Sequence, residues 1–201
     1  MLRVGLTGGF ASGKSFVGQA MAELGCHLLS ADELGHRVLE PDGAAYQPVI
    51  REFGRGILNT EGRIDRRALG RVVFGNPERL ARLSALVHPP VIAREEAWMA
   101  EITARDPNGI AVVEAAILIE SGSYKRFQRL VLTVCEPGVQ VQRAMRRDGL
   151  SEQEVRDRMA RQLPVAEKVK FADAVIDTSG DKENTLRQVR AICRMLRSVD
   201  S

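Results

Sequence analysis

Short apolar runs alternate with helix-spaced apolar positions through most of the chain, as expected of an α/β fold built on a parallel sheet. Residues 2–7 read as a first strand. Residues 15–24 read as a helix with Val17, Ala20, Met21 and Leu24 on one face. Residues 27–30 form a short second strand, followed by Ala31 and Asp32. From about residue 34 to 105 the strand signal disappears, and helical segments are predicted at residues 44–53, 77–87 and 90–105. Pro89 and Pro90 would open the last of these, because proline is tolerated in a first turn. The block interrupts the strand–helix alternation and reads as a helical lobe inserted into a core.

The alternation then resumes. Residues 110–119 and 130–135 read as buried strands, continuous in apolar character as parallel strands are. A helix over 138–147 ends at Asp148-Gly149, and Ser151 with Glu154 has the spacing of a capping box that opens another. A last strand is predicted at 174–177 and a final helix from about 182 to 196.

Composition narrows the function. With 201 residues and 44% hydrophobic content, the chain suits one compact domain with insertions. Aromatics make up 4%, too few for the stacking rows of a single-strand nucleic-acid binder. A net charge of +3, from 29 basic and 26 acidic residues, does not make a DNA-binding surface but is compatible with phosphate ligands. Cys26, Cys135 and Cys193 are far apart and form no CxxC pair, which points to a reducing compartment rather than a disulfide framework. No apolar run is long enough to span a bilayer. The expectation is a cytoplasmic protein with no nucleic-acid or membrane partner; oligomeric state is not legible.

The strongest motif lies between the first strand and the first helix. Gly8, Gly9, Phe10, Ala11, Ser12, Gly13, Lys14 and Ser15 complete the spacing G-x4-G-K-S. Glycines let backbone N–H groups curl around phosphate oxygens, Lys14 brings a compact charge to the β- and γ-phosphates, and Ser15 offers a hydroxyl to Mg²⁺. Gly8, Gly9, Ala11, Ser12, Gly13, Lys14, Ser15 and Phe16 are therefore the expected nucleotide-binding residues, with Ser15 as ligand to Mg²⁺.

The loop alone does not separate kinases from other nucleotide-dependent proteins. No Asn-Lys-x-Asp is present for guanine selection, and the strand near Val112 offers Glu114 and Glu120 where a Walker B aspartate would be sought. Between Arg143 and Lys170 stand eight Lys/Arg against five Asp/Glu, including Arg143, Arg146, Arg147, Arg158 and Arg161. Such a segment serves either as a lid that stabilises a transferring phosphoryl group or as a solvated face with i,i+4 pairs such as Glu154 with Arg158. Asp32 follows the second strand, at the edge where ligands bind in parallel sheets. It is either a base for an attacking hydroxyl or an N-cap, and one residue can do both.

Together these residues resemble the dephospho-CoA kinase family of the nucleoside-monophosphate-kinase-like P-loop proteins. The resemblance runs from Val4 to about Gly180. It includes Leu6-Thr7-Gly8-Gly9, Ala31-Asp32, Glu40-Pro41, Arg67-x-Leu69, Phe74, His88-Pro89 and Leu118-x-Glu120, then Arg143, Arg147-Asp148, Gln162, Lys168 and the segment Ala172 to Asp177. It implies a three-layer P-loop NTPase core with a parallel sheet at about 1–33, 106–139 and 171–201. A helical acceptor-binding lobe would occupy about 34–105 and a short helical lid about 140–170.

The implied reaction is ATP-dependent phosphorylation of the ribose 3′-hydroxyl of 3′-dephospho-CoA. Asp32 matches the family's proposed base, and Arg143 matches its lid arginine beside the catalytic Lys14. By the same resemblance Asp32, His88, Glu120 and Arg147 contact the acceptor, although His88 equally suits a structural place between helices. Three departures stand out: Ser30 where many relatives have a second Asp, Ala116 for a common Pro, and Thr178 for a frequent Asn. A kinase for another small acceptor and a nucleotide-dependent regulator remain the rival readings.

Overall fold

The computed structural model describes residues 1–198. Five strands form one sheet: β1 (Leu2–Gly8), β2 (His27–Ser30), β3 (Ile110–Glu114), β4 (Arg129–Val134) and β5 (Ala174–Asp177). Their spatial order is β2-β3-β1-β4-β5, and every pairing is parallel. β1 is thus central, and whatever follows its carboxyl end lies at the middle of the sheet edge.

Side chains alternate across a strand, so Leu2, Val4 and Leu6 of β1 share one face. They pack into a core with Val17, Ala20 and Met21 of α1 (Lys14–Glu23) and with Val189, Cys193 and Leu196 of α9 (Lys182–Ser198). Full burial of such side chains stabilises by about 1.5–3 kcal/mol each. On the opposite face, a Cβ added at Gly5 would lie 3.0 Å from each of the side chains of Leu118, Leu130 and Phe127, so that layer rests directly on the β1 backbone.

Two expectations are corrected. β3 ends at Glu114 instead of continuing to residue 119. Ala115 still donates to Leu6 O at 3.0 Å, after which bonds from Ser121 to Ile117 and from Gly122 to Ile119 wind the chain into turns. Leu118 and Ile119 are buried even so, which is why an apolar run alone could not mark where the strand stops. The second correction concerns the tandem prolines. α5 (Pro77–Arg105) is one helix of 29 residues with Pro89 and Pro90 inside it. Each proline removes a helical N–H, but Leu83, Val87 and Val91 keep a four-residue spacing across them in one apolar cluster, so packing carries the helix through.

The chain divides into two compact units, Met1–Ser30 with Met99–Ser201, and Ala31–Trp98. The second contains α2 (Ala31–Arg37), α3 (Tyr46–Phe53), α4 (Arg66–Val73) and most of α5, closed around Val38, Ala45, Val49, Ile57, Leu69, Val73 and Val91. The first also carries α6 (Pro137–Asp148), α7 (Glu152–Ala160) and α8 (Val165–Val169). Gly149 stops α6 in the left-handed conformation at φ 66, and Ser151 with Glu154 forms the expected capping box. Val141, Ala144 and Val155 build a small core with Leu150 and Met159 that also takes in Phe10 and Ala11.

Replacing Pro89 by Ala restores a donor inside a continuous α5. It should raise stability to urea by about 1 kcal/mol, after allowance for the looser unfolded chain. A neutral or destabilising result would mean that a helix starts at the prolines.

Candidate active site

The loop from Gly8 to Ser15 leaves the carboxyl end of β1 and enters α1 at Lys14. Its shape depends on missing side chains. A Cβ at Gly8 would come within 1.9 Å of Thr133 Oγ1 and 2.8 Å of the Thr133 carbonyl oxygen, so β4 could not lie beside it. Gly13 caps α1 at φ 79, and Ala11 holds φ 56, a left-handed conformation that disfavours side chains. Ser12 is buried; its Oγ lies 2.7 Å from Thr133 Oγ1 and its carbonyl accepts from Thr178 Oγ1 at 2.8 Å. The loop is therefore braced from β4 on one side and from the turn after β5 on the other. The Phe16 ring lies 5.7 Å from Lys182 Nζ on α9, which leaves its backbone as the part near the loop.

Glu114 closes β3 in register with Leu6 of β1 and Ser30 of β2, and it is 5% exposed. Its Oε1 accepts from Lys14 Nζ at 2.7 Å and from Ser15 Oγ at 2.6 Å. Gly18 of α1 makes this possible, because a Cβ there would stand 3.0 Å from Glu114 Oε2. Glu114 is not among the site residues that the sequence motifs single out. The signal is a lone carboxylate inside the otherwise apolar run of residues 110–119.

The arginines of α6 line a cavity of about 490 Å³ beside the loop, where Ala11 and Gly13 face Arg143, Arg146 and Arg147. Arg143 is anchored: Nη1 donates to Thr178 Oγ1 at 3.0 Å and Nη2 to Thr178 O at 2.6 Å. Arg147 makes a two-pronged pair with Asp148 at 2.8 Å, which holds the Asp148 carboxyl below the usual carboxylate range. Phe10 meets the same region. Its N–H donates to Gln162 Oε1 and its carbonyl accepts from Gln140 Nε2, each at 2.7 Å. Its ring lies 5.6 Å from the guanidinium carbons of both Arg147 and Arg158.

Glu120, in the turns after β3, forms an ion pair with Lys168 Nζ at 2.7 Å and accepts a hydrogen bond from the Leu163 N–H at 3.3 Å. Lys168 is 1% exposed, and Glu120 Oε2 is buried without a hydrogen-bond partner. Lys14, Ser15, Glu120, Arg143 and Arg147 thus all belong to the first unit. Asp32, in the first turn of α2, and half-buried His88, within α5, belong to the second.

Known proteins are similar to this chain in sequence and in fold. Residues 2–184 match the family model described as dephospho-CoA kinase. The chain belongs to the dephospho-CoA kinase family. It is 42% identical to the dephospho-CoA kinase of Geobacillus kaustophilus over 197 residues, covering 96% of each chain. A solved structure from Thermus thermophilus superposes with a TM-score of 0.82 at 33% identity, covering 97% of each chain. A dephospho-CoA kinase structure from Campylobacter jejuni gives 0.71 at 25% identity, over 99% of this chain and 98% of that one. The family read from the sequence motifs is thus the family found by comparison. Within this member of the dephospho-CoA kinase family, Glu120 and Lys168, both in motif segments of the resemblance, are tied to each other.

Removing the cation from a buried pair strands the carboxylate. Lys168→Met is expected to cost about 3 kcal/mol in chemical denaturation. Adding Glu120→Leu should recover most of that loss. A single variant as stable as the parent would show that the pair does not hold α8 in place.

Proposed function

We propose that the loop of residues 8–15 seats Mg·ATP and that its γ-phosphoryl group passes directly to the ribose 3′-hydroxyl of 3′-dephospho-CoA. As a member of its family, the chain phosphorylates dephospho-CoA at the expense of ATP, a step of coenzyme A biosynthesis. The observation that carries the site reading is the cluster of Lys14, Ser15 and Glu114 at the carboxyl edge of the sheet.

Lys14 exchanges Glu114 for the β- and γ-phosphate oxygens when nucleotide binds, keeping its charge compensated in both states. Magnesium takes hard oxygen ligands, and Ser15 Oγ and the Glu114 carboxylate supply two at 2.6 Å from each other, so these residues fit the ion. Bound with the phosphates, it supplies neutralisation of charge on the transferring group. Arg143, fixed on Thr178, forms a wall of the nucleotide cavity; Arg147 and its neighbours on α6 and α7 act as a lid on the phosphates.

Asp32 accepts the 3′-hydroxyl proton as that oxygen bonds to the γ-phosphorus. The bond to the β–γ bridging oxygen breaks, and ADP leaves. His88 and Glu120 serve the acceptor in this reading. No helix among the described residues is long and apolar enough to cross a membrane. With Cys26, Cys135 and Cys193 free and buried, a reducing cytoplasm suits the chain.

The direct test measures ADP release from Mg·ATP with dephospho-CoA, AMP and CMP as parallel acceptors, with product mass confirming coenzyme A. Turnover with dephospho-CoA alone is expected; a preference for AMP or CMP would overturn the acceptor. Asp32→Asn should lower kcat by about 10²–10⁴-fold while the KM for ATP stays within about twofold. Near-normal turnover would remove Asp32 from base catalysis. Glu114→Gln should raise the Mg²⁺ concentration for half-maximal rate by about tenfold, read from a magnesium titration at saturating ATP. An unchanged titration would take Glu114 out of the metal site.

A further inference from the structure

Arg158 is unlike the other lid arginines. Arg143 is fixed on Thr178 and Arg147 on Asp148, but among the described residues the Arg158 side chain makes no hydrogen bond or ion pair. The i,i+4 partner that the helix offers, Glu154, turns its carboxylate back to Ser151 to close the capping box. Asp148 and Glu154 feel the Arg158 charge only at longer range. What stands against its guanidinium is the Phe10 ring, at 5.6 Å from ring centroid to guanidinium carbon.

Phe10 is itself held hard. Gln162 and Gln140 fix both of its peptide groups, and its ring belongs to the small core of α6 and α7. A ring so placed gives Arg158 a fixed station at the tip of the phosphate loop. An aromatic ring attracts a guanidinium without consuming its N–H donors, whereas a carboxylate consumes them. The group is thus held beside Phe10 of the phosphate loop with its hydrogen-bonding capacity unspent, while the charge of Arg147 on the same ring is offset by Asp148.

We propose that Arg158 is a catalytic residue that donates to the transferring phosphoryl group, and that Phe10 is the positioning residue that stations it there. The proposal rests on the lid reading given above. Phosphoryl transfer gathers negative charge on the equatorial oxygens, and an arginine already in place stabilises it without first giving up a carboxylate partner. Phe10 acts only through the cations on its ring, so its loss should appear in kcat far more than in the KM for ATP.

The test is a double-mutant cycle on the intact chain in which kcat and both KM values are measured and thermal melts confirm folding. Arg158→Gln is expected to lower kcat by about 100-fold. Phe10→Leu, which keeps apolar bulk in the small core, is expected to lower it about fivefold with KM for ATP nearly constant. Phe10→Tyr should recover most of that loss. In the double variant Phe10→Leu should add less than about twofold to the effect of Arg158→Gln, because its main target is gone. A near-parental kcat for Arg158→Gln overturns the catalytic assignment, and full additivity overturns the positioning role of Phe10. Lys14→Met runs in parallel. If it too retains turnover, the phosphate-loop reading is what has failed; if it is inactive while Arg158→Gln is not, only this inference falls.

Discussion

One buried carboxylate oxygen, Glu114 Oε1, receives both Lys14 Nζ and Ser15 Oγ, and much of the first unit is arranged around that meeting. A carboxylate taken out of water needs close donors, or its desolvation costs several kcal/mol. To supply them, β3 must lie beside β1 with Glu114 level with Leu6, and α1 must begin at Lys14. α1 must also lack a side chain at position 18, where a Cβ would stand 3.0 Å from the second oxygen. A glycine inside a helix costs about 1 kcal/mol relative to alanine, and here it leaves room for a charge the site needs. The parallel order of the sheet is therefore what puts a strand-end carboxylate beside loop residues 99 and 100 positions away in sequence.

The loop itself is held from outside. Thr133 of β4 crowds Gly8 and meets Ser12; Thr178, after β5, bonds the Ser12 carbonyl and takes Arg143 from α6. These contacts run from β4 through the loop to the root of the lid helices in polar groups that are mostly buried. At position 178 the family resemblance implies asparagine, and the Thr178 hydroxyl that stands there serves both Ser12 and Arg143. The departure noticed in the sequence thus leaves the bracing intact.

The sequence displayed periodic and punctuated features well. All five strands begin within one residue of their expected starts, because each opens on an apolar run bounded by turn residues. The capping box at Ser151 and the stop at Gly149 were likewise legible, since both are written in local spacing. What was lost depends on tertiary packing. The end of β3 was invisible because buried turns are as apolar as a buried strand, and the prolines of α5 were overruled by a stripe that continues across them. In the site, the phosphate loop was complete in one octapeptide. The pairing of Glu114 with Lys14, of Glu120 with Lys168 and of Phe10 with Arg158 joins residues 100, 48 and 148 positions apart, and no local pattern encodes such partners.

The basic excess between residues 143 and 170 therefore does not have one meaning. Lys168 neutralises Glu120 in the interior, Arg143 is a strut between α6 and Thr178, and Arg147 is half of a surface pair. Counting charges treats these as equivalent, but a cation whose donors are already taken must break bonds before it can serve a phosphate, and those bonds are subtracted from whatever it contributes. The structure separates the arginines by that criterion. Among the described arginines of this segment, the Arg158 guanidinium carries no hydrogen bond or ion pair, and the Phe10 face restrains it without taking a donor.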